Sequence, residues 1–277
     1  MKNLLHIFVL SLAVSISWGQ STPTQNFVVL LDLSDRLLAS DQAARDQQLI
    51  LKVFEQFERA VRKNLFINSQ DAFRVVIAPQ KGLERVGWED QLQLNMAGVK
   101  VSQKRLQFDG FKKSLPQALL QLYAEAKKGK TRSSDFPGCD IWQYFNEALL
   151  GELIPNAQNN LVVITDGYFD FETNTHGLSR NGRDTDTHKL MRYLRGKSDW
   201  QQLLAHPNTG LLPVAKKFPA NTRVAVVELT AKYDHLDELD ILAAIWKKWL
   251  LEMNLQPVQM LNRSSLQTEK AKLGHVF

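Results

Sequence analysis

A run of five apolar residues at positions 27–31 is closely followed by the polar residues Asp32, Ser34 and Asp35. A strand with one face in water alternates apolar and polar side chains, and this run has no such alternation. The run therefore predicts a strand that is buried on both faces, which is typical of a parallel sheet covered by helices. We expect the chain to fold around this strand as an α/β domain.

Strand and helix patterns alternate along the rest of the chain. Segments rich in apolar residues predict further strands at 72–78, 161–165, 223–229 and 257–261, and alternating apolar and polar residues predict a half-exposed edge strand at 92–96. Apolar residues at helical spacing predict helices after Asp41, at 115–128, from Asp140 onward, at 187–194 and at 236–253. This alternation predicts a Rossmann-like, three-layer α/β fold with a doubly wound, mostly parallel central sheet flanked by helices. We expect residues 21–277 to form a single domain.

The first 20 residues differ in composition from the rest of the chain. Lys2 precedes an apolar stretch at 4–16, and the small residues Ser17 and Gly19 suit cleavage before Gln20. Residues 1–20 are therefore predicted to be a signal peptide, and the protein to be periplasmic or secreted. An uncleaved membrane anchor is disfavoured because the apolar stretch is shorter than the ~20 residues that a spanning helix needs.

Charge, cysteine content and hydropathy argue against several other classes of protein. The chain has 34 basic and 29 acidic residues, and its formal net charge of +5 is modest for a nucleic-acid-binding protein. Its single cysteine, Cys139, cannot form an intrachain disulfide. The most apolar later segment, 241–251, contains Lys247 and Lys248 and predicts an amphipathic helix rather than a membrane span.

Residues 172–218 separate two predicted strands by far more than the dozen or so residues that a crossover needs. This basic insertion contains eight Lys or Arg residues and four Asp or Glu residues. It is either a lobe that binds an acidic partner or a solvated crossover with a helix at 187–194. The helical pattern favours the crossover.

Polar side chains follow two of the predicted buried strands at the point where each strand ends. Asp32, Ser34 and Asp35 follow the first strand, and Asp166 follows the strand at 161–165. The carboxyl ends of neighbouring parallel strands meet at one edge of a sheet, so we expect Asp32 and Asp166 to lie close together. Like charges at such spacing repel unless a cation or a proton separates them. A divalent ion held by carboxylate and hydroxyl oxygens would resolve the repulsion.

The order of these features resembles the von Willebrand factor A domain. Asp32-Leu33-Ser34 follows the first strand, Asp140 opens the helix before the fourth strand, and Thr165-Asp166-Gly167 follows that strand. Members of this family typically use an Asp-x-Ser-x-Ser loop, a distant Thr and an Asp-Gly pair to form a metal-ion-dependent adhesion site. The resemblance implies an exported protein-binding module that uses Mg²⁺ or a similar divalent cation to engage a carboxylate on a protein partner. The implied metal ligands are Asp32, Ser34, Asp140 and Asp166.

Two residues depart from the family pattern. Arg36 stands where the loop has its second Ser, and Asp140 stands at the position resembling the Thr. Arg36 adds a fixed positive charge beside Asp35, and both residues are predicted to modify the site. Arg36 either folds away and leaves a modified metal site, or pairs with Asp32 and Asp166 and replaces the ion.

Ordinary structural roles and an enzymatic role are the alternatives. Asp140 and Gln143 have the spacing of a helix N-cap and its partner, and Asp166-Gly167 alone is a common turn pair. A metal-dependent hydrolase could use the same Asp cluster, but no residue is signalled as its general base. The sequence also has no Gly-x-Ser-x-Gly elbow and no Gly-rich phosphate loop. We therefore predict a binding module rather than an enzyme.

Overall fold

The computed structural model describes residues 23–169 and 178–277 of the chain. The predicted signal peptide lies outside the described residues, as do positions 172–177 of the basic insertion. The strands of the described residues are β1 Gln25–Leu31, β2 Ala72–Ile77, β3 Gln93–Asn95, β4 Gln158–Ile164, β5 Ser179–Arg180, β6 Arg183–Asp184, β7 Thr222–Leu229 and β8 Val258–Asn262. The α-helices are α1 Gln42–Lys63, α2 Val86–Gln91, α3 Lys104–Lys127, α4 Ile141–Glu147, α5 Leu149–Glu152, α6 His188–Leu194, α7 Trp200–Ala205, α8 Glu238–Glu252 and α9 Leu266–Leu273.

The central sheet has the strand order β3-β2-β1-β4-β7-β8. All neighbouring strands are parallel except β3, which pairs antiparallel with β2 at one edge. Strand β1 lies at the middle of the sheet and is buried on both faces: Val28 and Leu30 contact the core that α4 and α8 cover, and Val29 and Leu31 contact the core that α1 and α3 cover. The predicted three-layer α/β fold is confirmed.

One predicted helix boundary is wrong. The helix expected at 115–128 begins eleven residues earlier, at Lys104, and Pro116 lies inside it. A proline removes one backbone donor from a helix, which disfavours a helix on both sides of it. Helix α3 nevertheless extends through Pro116 because Phe108 and Leu115 are both fully buried in the core. The ring of Phe108 stacks on that of Phe54 of α1 at 5.8 Å between centroids.

The described part of the basic insertion packs against α8. Helix α6 coincides with the predicted helix at 187–194, and Leu194 and Trp200 are buried in the core beside α8. Arg183 pairs with Glu252 at the end of α8, with 2.6 Å between Nη1 and Oε2. These contacts are those of a crossover that belongs to the domain. Within residues 23–169 and 178–277, no helix combines the length and apolarity needed to cross a bilayer.

Candidate functional site

The register of β1 and β4 places Asp32 beside Thr165. Leu31 and Ile164 are partners in the two strands, and the backbone N–H of Asp32 donates to the oxygen of Ile164 at 3.0 Å. Asp32 and Thr165 are therefore the first residues beyond the paired strands. Asp32 is only 1% exposed and Thr165 is fully buried, so their side chains form the floor of the crevice at this edge.

The carboxylate of Asp32 is fixed by two neutral donors. The backbone N–H of Ser34 donates to Oδ1 at 2.9 Å, closing a turn of the kind that aspartate favours after a strand. The hydroxyl of Thr165 donates to Oδ2 at 2.7 Å. Neither of these donors carries a charge, and the Arg36 guanidinium is a cation that interacts electrostatically with Asp32. The influence of Asp32 reaches the buried thiol of Cys139, whose pKa is raised first by burial and then by the Asp32 charge.

Asp166 lies at the same edge as Asp32. It is 5% exposed, and its Oδ1 accepts from the backbone N–H of Tyr168 at 3.0 Å. Burial, followed by the charge of Asp32, raises the pKa of Asp166 to about 6, and the ammonium of Lys232 opposes this increase. The structure therefore brings Asp32 and Asp166 into electrostatic contact, as their positions after adjacent strands predict.

Lys232 supplies a positive charge that the sequence analysis missed. Its Nζ lies 3.3 Å from Oδ2 of Asp166 and 3.6 Å from Oδ1 of Asp35. The ammonium also lies 4.9 Å from the centre of the Tyr168 ring. The only sequence signal for this residue is its place shortly after the end of β7, the strand next to β4 in the sheet. Its side chain is 30% exposed, so the ammonium reaches the buried carboxylate from the solvent side of the crevice.

Arg36 turns toward α1 and pairs with Asp46 rather than with the carboxylates of Asp32 and Asp166. Its guanidinium forms two bonds with Asp46 of α1, at 2.7 and 3.0 Å. It contacts Asp32 through the backbone oxygen, which accepts from Nη1 at 3.1 Å. The hydroxyl of Tyr123, from the neighbouring helix α3 on the same face, donates to Asp46 at 3.0 Å. Arg36 thus joins the loop after β1 to both helices on one face of the sheet.

Asp140 has the ordinary role that its spacing to Gln143 predicts. Its Oδ1 accepts from the backbone N–H of Gln143 at 2.7 Å and caps α4. Its own N–H donates to the oxygen of Pro79 at 2.8 Å, which anchors the start of the helix beyond the end of β2. Among the residues that the structure describes, no three Asp, Glu, His or Cys side chains cluster in a way that would hold a metal ion. The carboxylates of the crevice are thus the pair Asp32 and Asp166, with Asp35 at the rim.

Two cavities open on either side of Lys232, and Asp35 and Tyr233 also line both of them. The larger has a volume of about 440 Å³ and is completed by Arg36, Ala39, Gln42, Asp166, Thr230 and Arg263. The smaller has a volume of about 220 Å³ and is completed by Ser34, Ser133, Phe136, Gly138, Cys139 and Tyr168. The hydroxyl of Ser133 donates to Asp35 at the rim of the smaller cavity. The Lys232 side chain therefore lies between two openings that share Asp35, and the larger of them also reaches Asp166.

No protein-family profile and no curated protein sequence matches the chain. Solved structures with some similarity include proximal thread matrix protein 1 from the mussel byssus, at 12% identity and a TM-score of 0.39, and the open conformation of the pilus adhesin SpaC from Lactobacillus rhamnosus GG, at 10% identity and a TM-score of 0.43. Each alignment covers 92% of this chain but only 47% of the mussel protein and 29% of the adhesin. The chain thus spans less than half the length of either protein, and similarity at this level carries no argument about function.

Proposed function

We propose that the chain is a protein-binding module, resembling the von Willebrand factor A domain, that takes up a carboxylate of a partner at the crevice between Asp32 and Lys232. The observation that supports the proposal is the ammonium of Lys232 beside the buried carboxylate of Asp166, which itself interacts electrostatically with Asp32. Lys232 lies between Asp35 and Asp166, and the two cavities beside it give a side chain access from solvent. An incoming carboxylate would be repelled by Asp32 and Asp166 alone, so a positive charge is required there.

We propose Mg²⁺ as the cation that completes the site. Mg²⁺ is commonly bound through one or two carboxylates while it keeps several waters, and Asp32, Asp166 and the Ser34 hydroxyl offer a set of that kind. When bound, the ion would supply the positive charge that attracts the partner. In the structure described the ammonium of Lys232 is paired with Asp166, so this pair must open when an ion binds, and without the ion the ammonium stays paired. Asp140 is left to its capping role and is not needed as a ligand.

Each residue of the crevice has a separate part in this mechanism. Thr165 and the Ser34 N–H orient Asp32 and prevent its carboxylate from rotating. Arg36 fixes the loop that carries Ser34 by its bonds to Asp46, so the loop does not have to be ordered when the partner binds. Tyr233, half in contact with solvent, would pack against the body of the bound side chain.

We also propose that the protein acts outside the cytoplasm, which N-terminal sequencing of the exported protein would test by finding Gln20 at its start.

Selection of peptides from a random display library on the immobilised protein in Mg²⁺ tests the proposal. We expect the selected peptides to be enriched in Asp or Glu, and their binding to be lost in EDTA. The Asp32→Asn variant keeps the shape of the side chain and removes its charge, and we expect it to bind the selected peptides at least about tenfold more weakly. Asp109→Asn is the matched control, because Asp109 is an exposed residue of α3.

Three results would contradict the proposed function. Selected peptides without an acidic residue would exclude recognition of a carboxylate. Equal binding by wild type and Asp32→Asn would place the binding surface elsewhere on the protein. Turnover of phosphoester, peptide or glycoside substrates that requires Mg²⁺ or Mn²⁺ and is abolished in Asp166→Asn would instead identify a hydrolase.

A further inference from the structure

A third cavity lies at the opposite edge of the sheet, where the parallel strands begin. Its volume is about 390 Å³, within the range of small-molecule sites. Gln25, Gln158 and Arg223 line it from the first residues of β1 and β4 and the second residue of β7. The second half of α1 forms another wall through Gln56, Arg59, Ala60 and Lys63. Since it is at the other end of the strands, this cavity is separate from the crevice at Asp32.

Three cationic side chains line this cavity, and none of its lining side chains is acidic. Arg59 and Lys63 are exposed and Arg223 is half-buried. Within residues 23–169 and 178–277, no carboxylate forms an ion pair with any of the three. The cations close by on α1 differ in this respect, because Lys52 pairs with Glu55 at 2.6 Å and Arg62 pairs with Glu58 at 2.6 Å.

Asp71 is a buried carboxylate bonded to two residues that line the cavity, Gln25 and Asn64. Asp71 accepts from the backbone N–H of Gln25 at 2.8 Å, from the amide of Asn64 at 3.0 Å and from the hydroxyl of Ser69 at 2.7 Å. These three donors are neutral and occupy both oxygens of Asp71, which, in the described part of the chain, makes no ion pair with Arg59, Lys63 or Arg223. The positive charge of Arg59, Lys63 and Arg223 is left facing the cavity and the solvent at its mouth.

The floor of the cavity is apolar. Phe27 is 2% exposed, and its ring meets that of Phe277 edge to face with 6.3 Å between centroids. Ala60 contributes a methyl group from α1. The amide of Gln56 donates to the oxygen of Gly274 at 3.1 Å and holds the segment before Phe277 against α1. A ligand here would meet aromatic carbon at depth and positive charge at the rim.

We propose that this cavity binds a small organic anion whose apolar or aromatic body lies against Phe27, Ala60 and Phe277 and whose carboxylate or phosphate group meets Arg59, Lys63 and Arg223. Guanidinium groups bind either anion through paired N–H donors. The proposal is independent of the function assigned to the Asp32 crevice.

Isothermal titration of the purified protein with three probes tests the site: 4-phenylbutyrate, phenyl phosphate and the uncharged 4-phenylbutanamide. We expect at least one of the two anions to bind and the amide to bind about tenfold more weakly or not at all. The stronger of the two anions identifies the preferred head group. Absence of binding by both anions, or equal binding by the amide, would overturn the proposal.

Matched variants locate the binding. In Arg59→Gln/Arg223→Gln we expect binding of the anion to weaken about tenfold, because two partly exposed ion pairs are lost. In Ala60→Phe the charges are intact but the cavity is filled, and we expect binding to be lost. Arg62→Gln removes one charge from the same helix outside the cavity and should bind like wild type. Normal binding by Ala60→Phe, or binding by Arg62→Gln as weak as that of the double variant, would refute the site. Thermal unfolding of each variant confirms that it is folded.

Discussion

Replacing Arg36 by Met tests whether the loop after β1 is held by a buried ion pair. The side chains of Arg36 and Asp46 are 4% and 0% exposed, and two bonds of 2.7 and 3.0 Å join them. Removing one partner of a buried pair leaves an uncompensated charge and typically costs about 3–5 kcal/mol. Asp46 retains its bonds to Gln42 at 2.8 Å and Tyr123 at 3.0 Å, so we expect a loss near the lower limit, about 3 kcal/mol at neutral pH.

The loss should depend on pH. Burial raises the pKa of Asp46, and the charge of Arg36 opposes that increase. Without Arg36 the pKa of Asp46 in the folded state rises further. When the pKa of a carboxyl group is higher in the folded than in the unfolded state, its protonation stabilises the fold. This stabilisation is complete below the unfolded-state pKa of about 4 and is lost as the pH rises through the folded-state pKa. Arg36→Met should therefore be closer to wild type at pH 4 than at pH 8.

Urea unfolding followed by the fluorescence of the buried Trp246 and Trp249 measures the effect. Arg62→Met is the control, because Arg62 pairs with Glu58 on the surface of α1 and is 52% exposed. We expect this control to lose no more than about 0.5 kcal/mol. An equal loss in both variants, or a cost of Arg36→Met that does not change between pH 4 and pH 8, would refute the assignment of a buried pair.

Two further predictions concern Asp166 and Gly167, which follow β4. Gly167 has φ of +102°, and a Cβ there would lie 2.6 Å from Leu229 and 2.7 Å from Leu242. We therefore expect Gly167→Ala to lower the free energy of unfolding by about 2–4 kcal/mol, measured by thermal or urea unfolding. The pKa of Asp166 is raised to about 6, so in EDTA the stability of wild type should fall by about 2 kcal/mol as the pH rises from 4 through 6. Asp166→Asn, which does not titrate, should lack this decline, and an unchanged pH profile would contradict the raised pKa.

The strands of the central sheet could be predicted because the sequence signal is local. Residues 27–31 are all apolar and residues 161–165 and 223–229 are mostly apolar, and each segment lies within or overlaps a strand of the parallel sheet. The start of α3 could not be predicted in the same way, because residues 104–114 are mostly polar and precede Pro116. Their helical structure depends on the burial of Phe108 against Phe54, a contact between distant parts of the chain.

The same distinction applies to the crevice. Asp32 and Asp166 could be found because each follows an apolar run, and parallel pairing brings the ends of such runs together. The partners of these residues had no local signal. Arg36 binds Asp46 because α1 folds back over the loop, and Lys232 reaches Asp166 from the segment that follows the neighbouring strand β7. Which cation approaches a carboxylate depends on the tertiary path of the chain, and the spacing of charged residues does not encode it.

Helix α1 extends from the edge of the sheet at the Asp32 crevice to the edge at the third cavity. Its C-terminal end carries cations, and stabilisation of the helix is a second explanation for them. Arg62 and Lys63 lie in its last turn, where positive charge stabilises the carbonyl end of any helix. That contribution explains a cation at either position equally well. It does not explain why Arg62 is paired with Glu58 while Arg59 and Lys63 line a cavity together with Arg223, a residue of another element. Comparison of Arg62→Gln with Arg59→Gln/Arg223→Gln therefore separates binding of an anion from stabilisation of the helix.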